Sequence, residues 1–286
     1  MRERKAIRWP WRKKETARIK ALTDYLEKVN TGGDGVLFSV GEDDFSKLQD
    51  EIYKTVTELH QTRDEALRAR NCFAENLYNI AHQLKTPITS ISLSTQMMYE
   101  SPSLAHLEQI QKQLARLTHL EEALLLLSRI EAGTLSLERK KVDVFTLLML
   151  AADNLQELFA KADVTVVIPE LDEAVIDADL DWTMEAVMNL FKNCMEHTPA
   201  GGRVFCSYAQ NPLYVEIKIW DTGSGFAKED IPHLFERFYR GKNAKSGGIG
   251  IGLALAKAII ESQNGTITAG NPADGGACFE IHFYCH

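Results

Sequence analysis

The 286-residue sequence lacks any apolar run of the roughly 20 residues that a membrane-spanning helix needs. An excess of basic residues is also missing, since the net charge is −8, and no nucleic-acid-binding surface is expected. Its five cysteines form no CxxC pair and have no zinc-site spacing. This pattern favours free thiols and a cytoplasmic location.

The first 20 residues differ from the rest, because they hold nine Lys or Arg against two acids, with Trp9 and Trp11 among them. Basic side chains are attracted to anionic headgroups, and indole rings prefer the membrane interface. Two interpretations stay open: a segment lying on the inner face of the cell membrane, or a solvated basic tail.

The first half of the chain has the apolar spacing of helices. Helices are predicted at 14–30, 43–99 and 102–132, with a short extended piece at 36–40. Ser101 is the predicted cap of the third helix, Pro102 its first residue, and Gly133 its stop. The two long helices predict an antiparallel hairpin, and their apolar seam predicts a homodimer with a four-helix bundle through residues 71–133.

Beyond Gly133 the sequence changes to short strands and amphipathic helices. Strands are predicted at 137–144, 164–168, 203–208, 214–221, 265–269 and 277–284, and helices at 145–161, 180–196 and 252–261. This order predicts an α+β layer, most simply a mixed sheet with helices on one face. The boundary between the two domains therefore falls near Gly133.

The stretch NIAHQLKTPITSI places a histidine on the exposed side of the long helix. Its apolar residues are predicted to share one buried face: Leu77, Ile80, Leu84, Ile88 and Ile91. His82 points about 160° away from them on a helical wheel, and Thr86 lies beside it. Pro87 cannot donate to the carbonyl of Gln83, which predicts a bend. Taken alone, this pattern is more typical of a surface histidine beside a kink, and the rest of the chain must decide against that interpretation.

Two asparagines and an aspartate are candidate ligand-binding residues in the second domain. Asn189 and Asn193 lie one helical turn apart, and their amides can ligate Mg²⁺ or donate to phosphate. In IKIWDTGSGF an apolar strand ends at Asp221, whose carboxylate can accept from an exocyclic amine. Gly223 and Gly225 follow, and they allow a purine ring to approach the backbone.

A glycine-rich segment, GGIGIG, opens the last predicted helix after a basic loop. Gly248, Gly250 and Gly252 leave free N–H groups at a helix N-terminus, where phosphate is favoured. The segment is similar to a dinucleotide fingerprint, but that fingerprint follows a first βα unit, whereas this one comes late in the chain. A hydride-transferring enzyme is therefore not expected.

The order of these motifs is more specific than any one of them. NxxxN, DTGSGF, LFERFY and GIGIGLALAK resemble the N, G1, F and G2 boxes of the ATPase domain shared by sensor histidine kinases, type II topoisomerases, mismatch-repair ATPases and heat-shock chaperones. With AHQLKTPI upstream, residues 70–286 resemble a two-component sensor histidine kinase. The resemblance implies a HisKA-type four-helix bundle followed by an α/β two-layer sandwich of the Bergerat (GHKL) type.

This resemblance also implies a division of the chain into four parts. Residues 1–42 would be a basic, membrane-proximal or HAMP-like linker, and residues 43–70 a signalling helix. Residues 71–133 would form the dimerisation and phosphotransfer domain, and residues 134–286 the ATP-binding domain.

The resemblance implies a role for each matching residue of the helical hairpin. His82 would be the phosphoacceptor, and Thr86 would orient water for dephosphorylation of a response regulator receiver domain. Gln83 departs from the family, which commonly has a carboxylate there as the presumed general base, so slower activity is expected.

The same resemblance implies roles in the second domain. Asn193 would ligate Mg²⁺ with Asn189 beside it, Asp221 would bind the adenine amine, and His197 would flank the base. Arg240 would offset charge on the transferred phosphoryl group. The glycines named above would contact the nucleotide beneath a lid spanning 227–247. Glu196 stands at a position that is often basic, which removes one possible phosphate contact.

Three functions are compatible with these features. The first is ATP-dependent autophosphorylation of His82 with transfer to an aspartate of a bacterial response regulator. The second is a protein that acts mainly as a phosphatase, and the third is an ATP-gated GHKL scaffold without transfer. The exposed histidine before Pro87 argues against the third.

Overall fold

The structure, a computed structural model, describes residues 10–31, 43–241, 248–272 and 275–285, with side chains from residue 15 onward. The predicted extended piece at 36–40, the basic residues 1–9 and the lid residues 242–247 lie outside these ranges. Within them, no helix combines the length and apolar content needed to cross a lipid bilayer. The chain divides into two compact units, residues 1–75 and 76–286.

The helices and strands follow one another in a simple order. The helices are α1 (Pro10–Asn30), α2 (Asp44–Glu100), α3 (Leu104–Glu131), α4 (Val144–Asn154), α5 (Gln156–Ala162), α6 (Leu180–His197) and α7 (Gly252–Ser262). The strands are β1 (Lys140–Asp143), β2 (Thr165–Val167), β3 (Val175–Ala178), β4 (Arg203–Gln210), β5 (Tyr214–Asp221), β6 (Gly265–Gly270) and β7 (Cys278–Tyr284).

In the first unit, α1 packs against the beginning of α2. Arg18 donates to Asp43 Oδ1 at 2.8 Å and to Ser46 Oγ at 2.8 Å, and the guanidinium lowers the pKa of the Asp43 carboxyl. Further along both helices, the rings of Tyr25 and Tyr53 lie 6.3 Å apart. Because the contacts advance in the same direction on both helices, α1 and this part of α2 run parallel.

The second unit begins with a helical hairpin, as predicted. Gln109 Nε2 lies 3.4 Å from Ser90 Oγ, and Arg116 Nη2 lies 3.4 Å from Gln83 Oε1. The two contacts are separated by two helical turns on each helix, in opposite directions, so α2 and α3 pair in antiparallel fashion. The helix α2 continues through Pro87, which is buried.

The turn of the hairpin differs from the prediction by two residues. Ser103, not Ser101, is the N-cap of α3, and its hydroxyl accepts from the backbone N–H of Ala105 at 3.2 Å. The N–H of Ser101 still donates to the carbonyl of Met97, so this residue belongs to the end of α2. The predicted stop is confirmed, because α3 ends just before Gly133, whose φ is +63°.

The predicted apolar face of α2 is only partly covered within one chain. Ile80 and Ile91 are half-buried, as predicted. Leu77, Leu84 and Ile88 are between 37% and 52% exposed, so the prediction that they are buried is wrong for a single copy. One partner helix covers only one side of α2, and the remaining apolar side faces outward.

The ATPase-like part is a two-layer sandwich with a mixed sheet, which confirms the predicted fold class. Strands β1 and β3 form an antiparallel pair, and the larger sheet has the order β2-β4-β5-β7-β6. Only the β2–β4 pair of the larger sheet is parallel. Alternate residues of β5 are buried, and Ile217 and Ile219 share one core with Leu190 of α6 and Ile259 of α7.

Two local predictions for this sandwich are wrong, and one strand was not predicted. The helix expected at 145–161 is divided into α4 and α5, because Leu155 leaves helical geometry with φ −107° and ψ 6°. The strand expected at 137–144 is limited to β1. The four-residue strand β3 escaped prediction, because it pairs only with β1 and has too few residues to show alternation.

The last turns of α3 belong to the sandwich as much as to the hairpin. Leu120 and Leu127 are at most 2% exposed and join the core that α7 also builds. Since α3 packs against α7, its C-terminal half forms a wall next to the glycine-rich segment.

Candidate functional site

A cleft of about 430 Å³ opens between α3, α6 and the start of α7. It brings together these predicted site residues: Asn189, Asn193, His197, Gly225, Arg240, Gly248, Gly250 and Gly252. Glu196 lines it as well. His82, Gln83 and Thr86, which lie on α2, do not line it, and neither do Asp221, which is buried at the end of β5, and Gly223.

The two asparagines of α6 differ in what they offer to a ligand. The side-chain nitrogen of Asn189 already donates to the backbone carbonyl of Glu185 at 2.9 Å and to its carboxylate at 3.0 Å. Asn193 Oδ1 is buried and has no hydrogen-bond partner among the described residues. An amide oxygen without a donor is a suitable ligand for a hard cation, so Asn193 fits the Mg²⁺ predicted there.

Asp221 presents a similar unpartnered atom at the end of β5. Its residue is 1% exposed, and Oδ1 accepts from the N–H groups of Gly223 at 2.7 Å and Ala277 at 3.2 Å. Oδ2 is buried without a partner in the described part of the chain. Leaving a buried carboxylate oxygen unpaired costs free energy, so this atom is suited to accept a hydrogen bond from the amine of a ligand such as adenine.

Two glycines are required by close backbone contacts around the site. Gly250 has φ +78°, and a Cβ there would lie 2.7 Å from the carbonyl oxygen of Tyr239. Gly276 has φ +82°, and a Cβ there would lie 1.8 Å from the carbonyl oxygen of Asp221. Sequence reasoning missed Gly276, although the doubled glycine in DGGACF was a visible signal.

The first part of the predicted lid is anchored by aromatic contacts. Phe226 and Phe235 meet the ring of Phe279 edge-on, with centroids 5.6 and 6.4 Å away. Tyr239 donates its hydroxyl to Asp230 at 2.8 Å, and this bond raises the pKa of the tyrosine. This anchored part carries the exposed Arg240 to the edge of the cleft.

On α2, the proposed phosphoacceptor faces outward, as predicted. His82 and Thr86 are both exposed, and the Thr86 hydroxyl donates to the backbone carbonyl of His82 at 3.3 Å. Gln83 turns toward α3 instead, where its oxygen accepts from Arg116. The side chain of Arg116 also lines the cleft, although no sequence motif drew attention to it.

Comparison with known families gives two matches in the expected order. Residues 74–133 match the His Kinase A (phospho-acceptor) domain, and residues 178–285 match the histidine kinase-, DNA gyrase B- and HSP90-like ATPase. Together the two matches cover more than half of the chain.

The chain belongs to the two-component sensor histidine kinase family.

Among the relatives of this chain is the signal transduction histidine-protein kinase BaeS of Escherichia coli (strain K12). The two are 28% identical over 272 residues, which cover 93% of this chain and 57% of BaeS. The chain therefore spans little more than half the length of this curated relative.

Two solved structures share the fold. The Acinetobacter baumannii histidine kinase AdeS is 25% identical, with a TM-score of 0.61, covering 71% of this chain and 97% of that one. The histidine kinase ThkA, solved in complex with the response regulator protein TrrA, has a TM-score of 0.59 at 20% identity, covering 82% of this chain and 66% of that one. The second likeness concerns the fold alone.

Two residues of this chain depart from the pattern on which the resemblance rests. Gln83 is a neutral amide in the place of a carboxylate, and it is bonded to a cation from α3. Glu196 is an acid in the place of a basic residue, and it faces the cleft beside Gly248. Lys192 and His119 also line the cleft and were not predicted.

Proposed function

We propose that this chain is the dimerisation, phosphotransfer and ATP-binding part of a sensor histidine kinase. It transfers the γ-phosphoryl group of ATP to His82 and from there to an aspartate of a response regulator. The observation that carries the proposal is the pair of buried, unpartnered oxygens at Asn193 and Asp221 in a chain that also exposes His82. The domain limits proposed from the sequence are kept: 1–42, 43–70, 71–133 and 134–286.

The transfer makes one bond and breaks another. A ring nitrogen of neutral His82 forms a bond to the γ-phosphorus while the bond to the leaving ADP oxygen breaks. The ring must then lose a proton, and Gln83 has no basic atom to accept it. Because His82 is exposed, water accepts this proton.

The residues proposed to bind ATP and Mg²⁺ contribute in different ways. Asn193 Oδ1 would hold Mg²⁺, which offsets phosphate charge when bound. Asp221 Oδ2 accepts from the adenine amine, and His197 flanks the base. The N–H groups of the glycine-rich segment bind phosphate, and Arg240 offsets charge on the transferred group. The side-chain nitrogen of Asn189 already donates to Glu185, so the proposed contribution of Asn189 is to position Glu185.

The hairpin supports a homodimer in this proposal. Leu77, Leu84 and Ile88 on α2, and Leu107 and Leu114 on α3, are all between 37% and 52% exposed. Burying these side chains against a second copy would complete a four-helix bundle. The outward face that carries His82 then remains available to the response regulator receiver domain.

Thr86 gives the proposed enzyme a second activity toward its partner. Its hydroxyl lies one turn below His82 on the same exposed face, where it can orient water against the regulator's phosphoryl group. A phosphatase-dominant protein and a scaffold are not favoured, because the ATPase match follows a match to the His Kinase A phospho-acceptor domain and the named relatives are histidine kinases.

The N-terminal unit is proposed to pass a signal to the hairpin. The parallel contact of α1 with α2 supports the HAMP-like assignment of the linker, and α2 runs without a break from this linker to His82. Contact of residues 1–20 with an anionic membrane surface is proposed from their basic composition alone.

The deciding experiment is incubation of the full chain with γ-labelled ATP and Mg²⁺. We expect label that survives alkali and is lost in acid, and we expect it to disappear in His82→Ala and Asn193→Ala. His106→Ala on α3 is the matched control and should keep the label. Label of the same stability in His82→Ala would contradict the assignment of the phosphoacceptor.

A second variant tests directly whether the unpartnered oxygen of Asp221 binds the nucleotide. Asp221→Asn keeps an oxygen for the bonds from Gly223 and Ala277 but replaces the unpartnered acceptor by a donor. We expect a loss of at least about tenfold in ATP affinity, the order expected for one buried charged hydrogen bond. Unchanged affinity, measured by competition with a fluorescent nucleotide, would remove Asp221 from the site.

A further inference from the structure

Arg116 is a residue of α3 that touches both parts of the proposed site. Its Nη2 atom donates to Gln83 Oε1 at 3.4 Å, directly next to the phosphoacceptor in the sequence. The same side chain is half-buried and lines the cleft that contains Asn193 and Gly252. Arg116 therefore connects residue 83 with the wall of the nucleotide cleft.

The partner of this arginine leaves its charge intact. A carboxylate at position 83 would form a bidentate ion pair with the guanidinium and neutralise it. Gln83 is neutral, so it orients Arg116 through one hydrogen bond while the remaining donors of the planar group stay able to bind another acceptor. The amide therefore positions a cation without cancelling it.

Arg116 joins two other basic residues of the cleft, because Lys192 of α6 and Arg240 also line it. Glu196 places an acid on the α6 side, where the family often has a basic residue, and it faces the cleft. Arg116 brings a positive charge to the same cleft from α3. A guanidinium binds phosphate oxygens with fixed geometry, which an ammonium group does not.

We propose that Arg116 binds the γ-phosphate of ATP and offsets its charge during transfer, and that Gln83 is the positioning residue that holds it there. This inference rests on the proposed function and adds to it a residue of α3 and a role for the unusual glutamine. In this arrangement the departures at positions 83 and 196 are explained together. Relative to the family pattern, position 83 loses a negative charge and position 196 exchanges a positive charge for a negative one, while Arg116 brings a positive charge to the cleft from α3.

The test compares the affinities for ATP and ADP in the presence of Mg²⁺, measured by competition with a fluorescent nucleotide. The ratio of the two affinities reports on contacts with the γ-phosphate, whether or not transfer occurs. We expect Arg116→Ala to lower this ratio about tenfold and Arg116→Lys to recover part of it. Arg129→Ala removes the same charge from the last turn of the same helix, away from the cleft, and should leave the ratio unchanged.

The role of Gln83 is tested by a double-mutant cycle. We expect Gln83→Ala to lower the ratio about threefold in the wild-type background and to have no further effect when Arg116 is already alanine, because the two residues act as one unit. A structural role in the hairpin alone would leave the ratio unchanged in all of these variants.

The possible outcomes separate this inference from the proposed function. A ratio that stays within twofold of wild type in Arg116→Ala overturns the inference, even where His82 becomes phosphorylated. Independent effects of the two substitutions overturn the role of Gln83. A lowered ratio in Arg116→Ala together with a wild-type chain that labels no histidine supports the contact and contradicts the kinase. A chain that binds no ATP overturns both.

Discussion

The hairpin and the sandwich of this protein bury their apolar residues to very different degrees. In the sandwich, Leu147, Leu190 and Phe279 are fully buried, whereas Leu104 and Leu114 of the hairpin are 78% and 51% exposed. Both regions have helices with regular apolar spacing, so the difference lies in what covers each helix. The sandwich is complete within one chain, and the hairpin is not.

This difference corresponds to the division of work proposed for the two regions. A closed core holds the backbone around Asp221 and Asn193 rigidly enough to keep buried polar atoms unpaired. The open hairpin leaves His82 accessible, and its uncovered apolar face recruits a second copy. Helix α3 belongs to both regions, through the burial of Leu120 and Leu127 in the sandwich core.

The largest expected effect comes from removing the uncovered apolar face of the hairpin. We expect Leu107→Asp combined with Leu114→Asp to convert the dimer to a monomer, because two leucines from each copy contribute about 1.5–3 kcal/mol each when buried. Light scattering measures the mass. Leu213→Asp, at an exposed position of the sandwich, is the control and should remain dimeric. A monomeric wild type, or a dimeric double variant, would contradict a dimer through this face.

The next effect concerns the core of the sandwich. Phe279 is fully buried and contacts Phe226 and Phe235, so Phe279→Ala should lower the free energy of unfolding by about 3–5 kcal/mol. Phe73→Ala removes the same ring from an exposed position of α2 and should change it by less than about 1 kcal/mol in a single copy. Urea denaturation at protein concentrations low enough for the chain to be monomeric compares the two variants. Equal losses would show that the exposed face of α2 is covered within one chain.

A smaller effect comes from a cysteine thiol of the sandwich, which makes the free energy of unfolding of this region depend on pH. Burial raises the pKa of the Cys206 thiol to about 12, whereas Cys72 on α2 is exposed. A thiol that holds its proton more tightly in the folded state contributes stability that is complete below its ordinary pKa of about 8.5 and is lost as the pH rises toward 12. Between pH 8 and 10 this group should therefore lower the free energy of unfolding by about 2 kcal/mol.

The comparison of variants isolates this contribution from other groups that titrate in the same range. Cys206→Ala should flatten the decrease between pH 8 and 10, and Cys285→Ala, at an exposed position, should leave it unchanged. Urea denaturation at each pH gives the slope. An identical slope in Cys206→Ala and wild type would show that this thiol does not titrate differently in the folded and unfolded chains.

The residues that sequence reasoning placed correctly are those whose neighbours lie nearby in the sequence. Asn189 and Asn193 share one helix face by spacing alone, and both line the cleft. Asp221 ends an alternating strand, as its sequence pattern predicted. Arg116 could not be found in this way, because its contact with Gln83 depends on how two helices pair. The exposure of Leu84 was missed for a related reason, since a pattern shows that a face is apolar but not what covers it.

The turn of the hairpin shows the same limit at the scale of single residues. Ser101 and Ser103 flank Pro102, and both have the chemistry of an N-cap. Which one caps α3 depends on where α2 ends, and the bond from the Ser101 N–H to the Met97 carbonyl assigns Ser101 to α2. Local sequence preference cannot decide between two equivalent side chains when the deciding bond belongs to the preceding helix.

The smallest predicted effect tests this assignment. Ser103→Ala removes the acceptor for the Ala105 N–H and should lower the free energy of unfolding by about 1 kcal/mol. Ser101→Ala removes a hydroxyl two residues earlier and should change it by less than about 0.5 kcal/mol. Thermal unfolding of both variants at one protein concentration keeps the dimer contribution constant. The reverse order of the two losses would return the cap to Ser101 and extend the start of α3 by two residues, to Pro102.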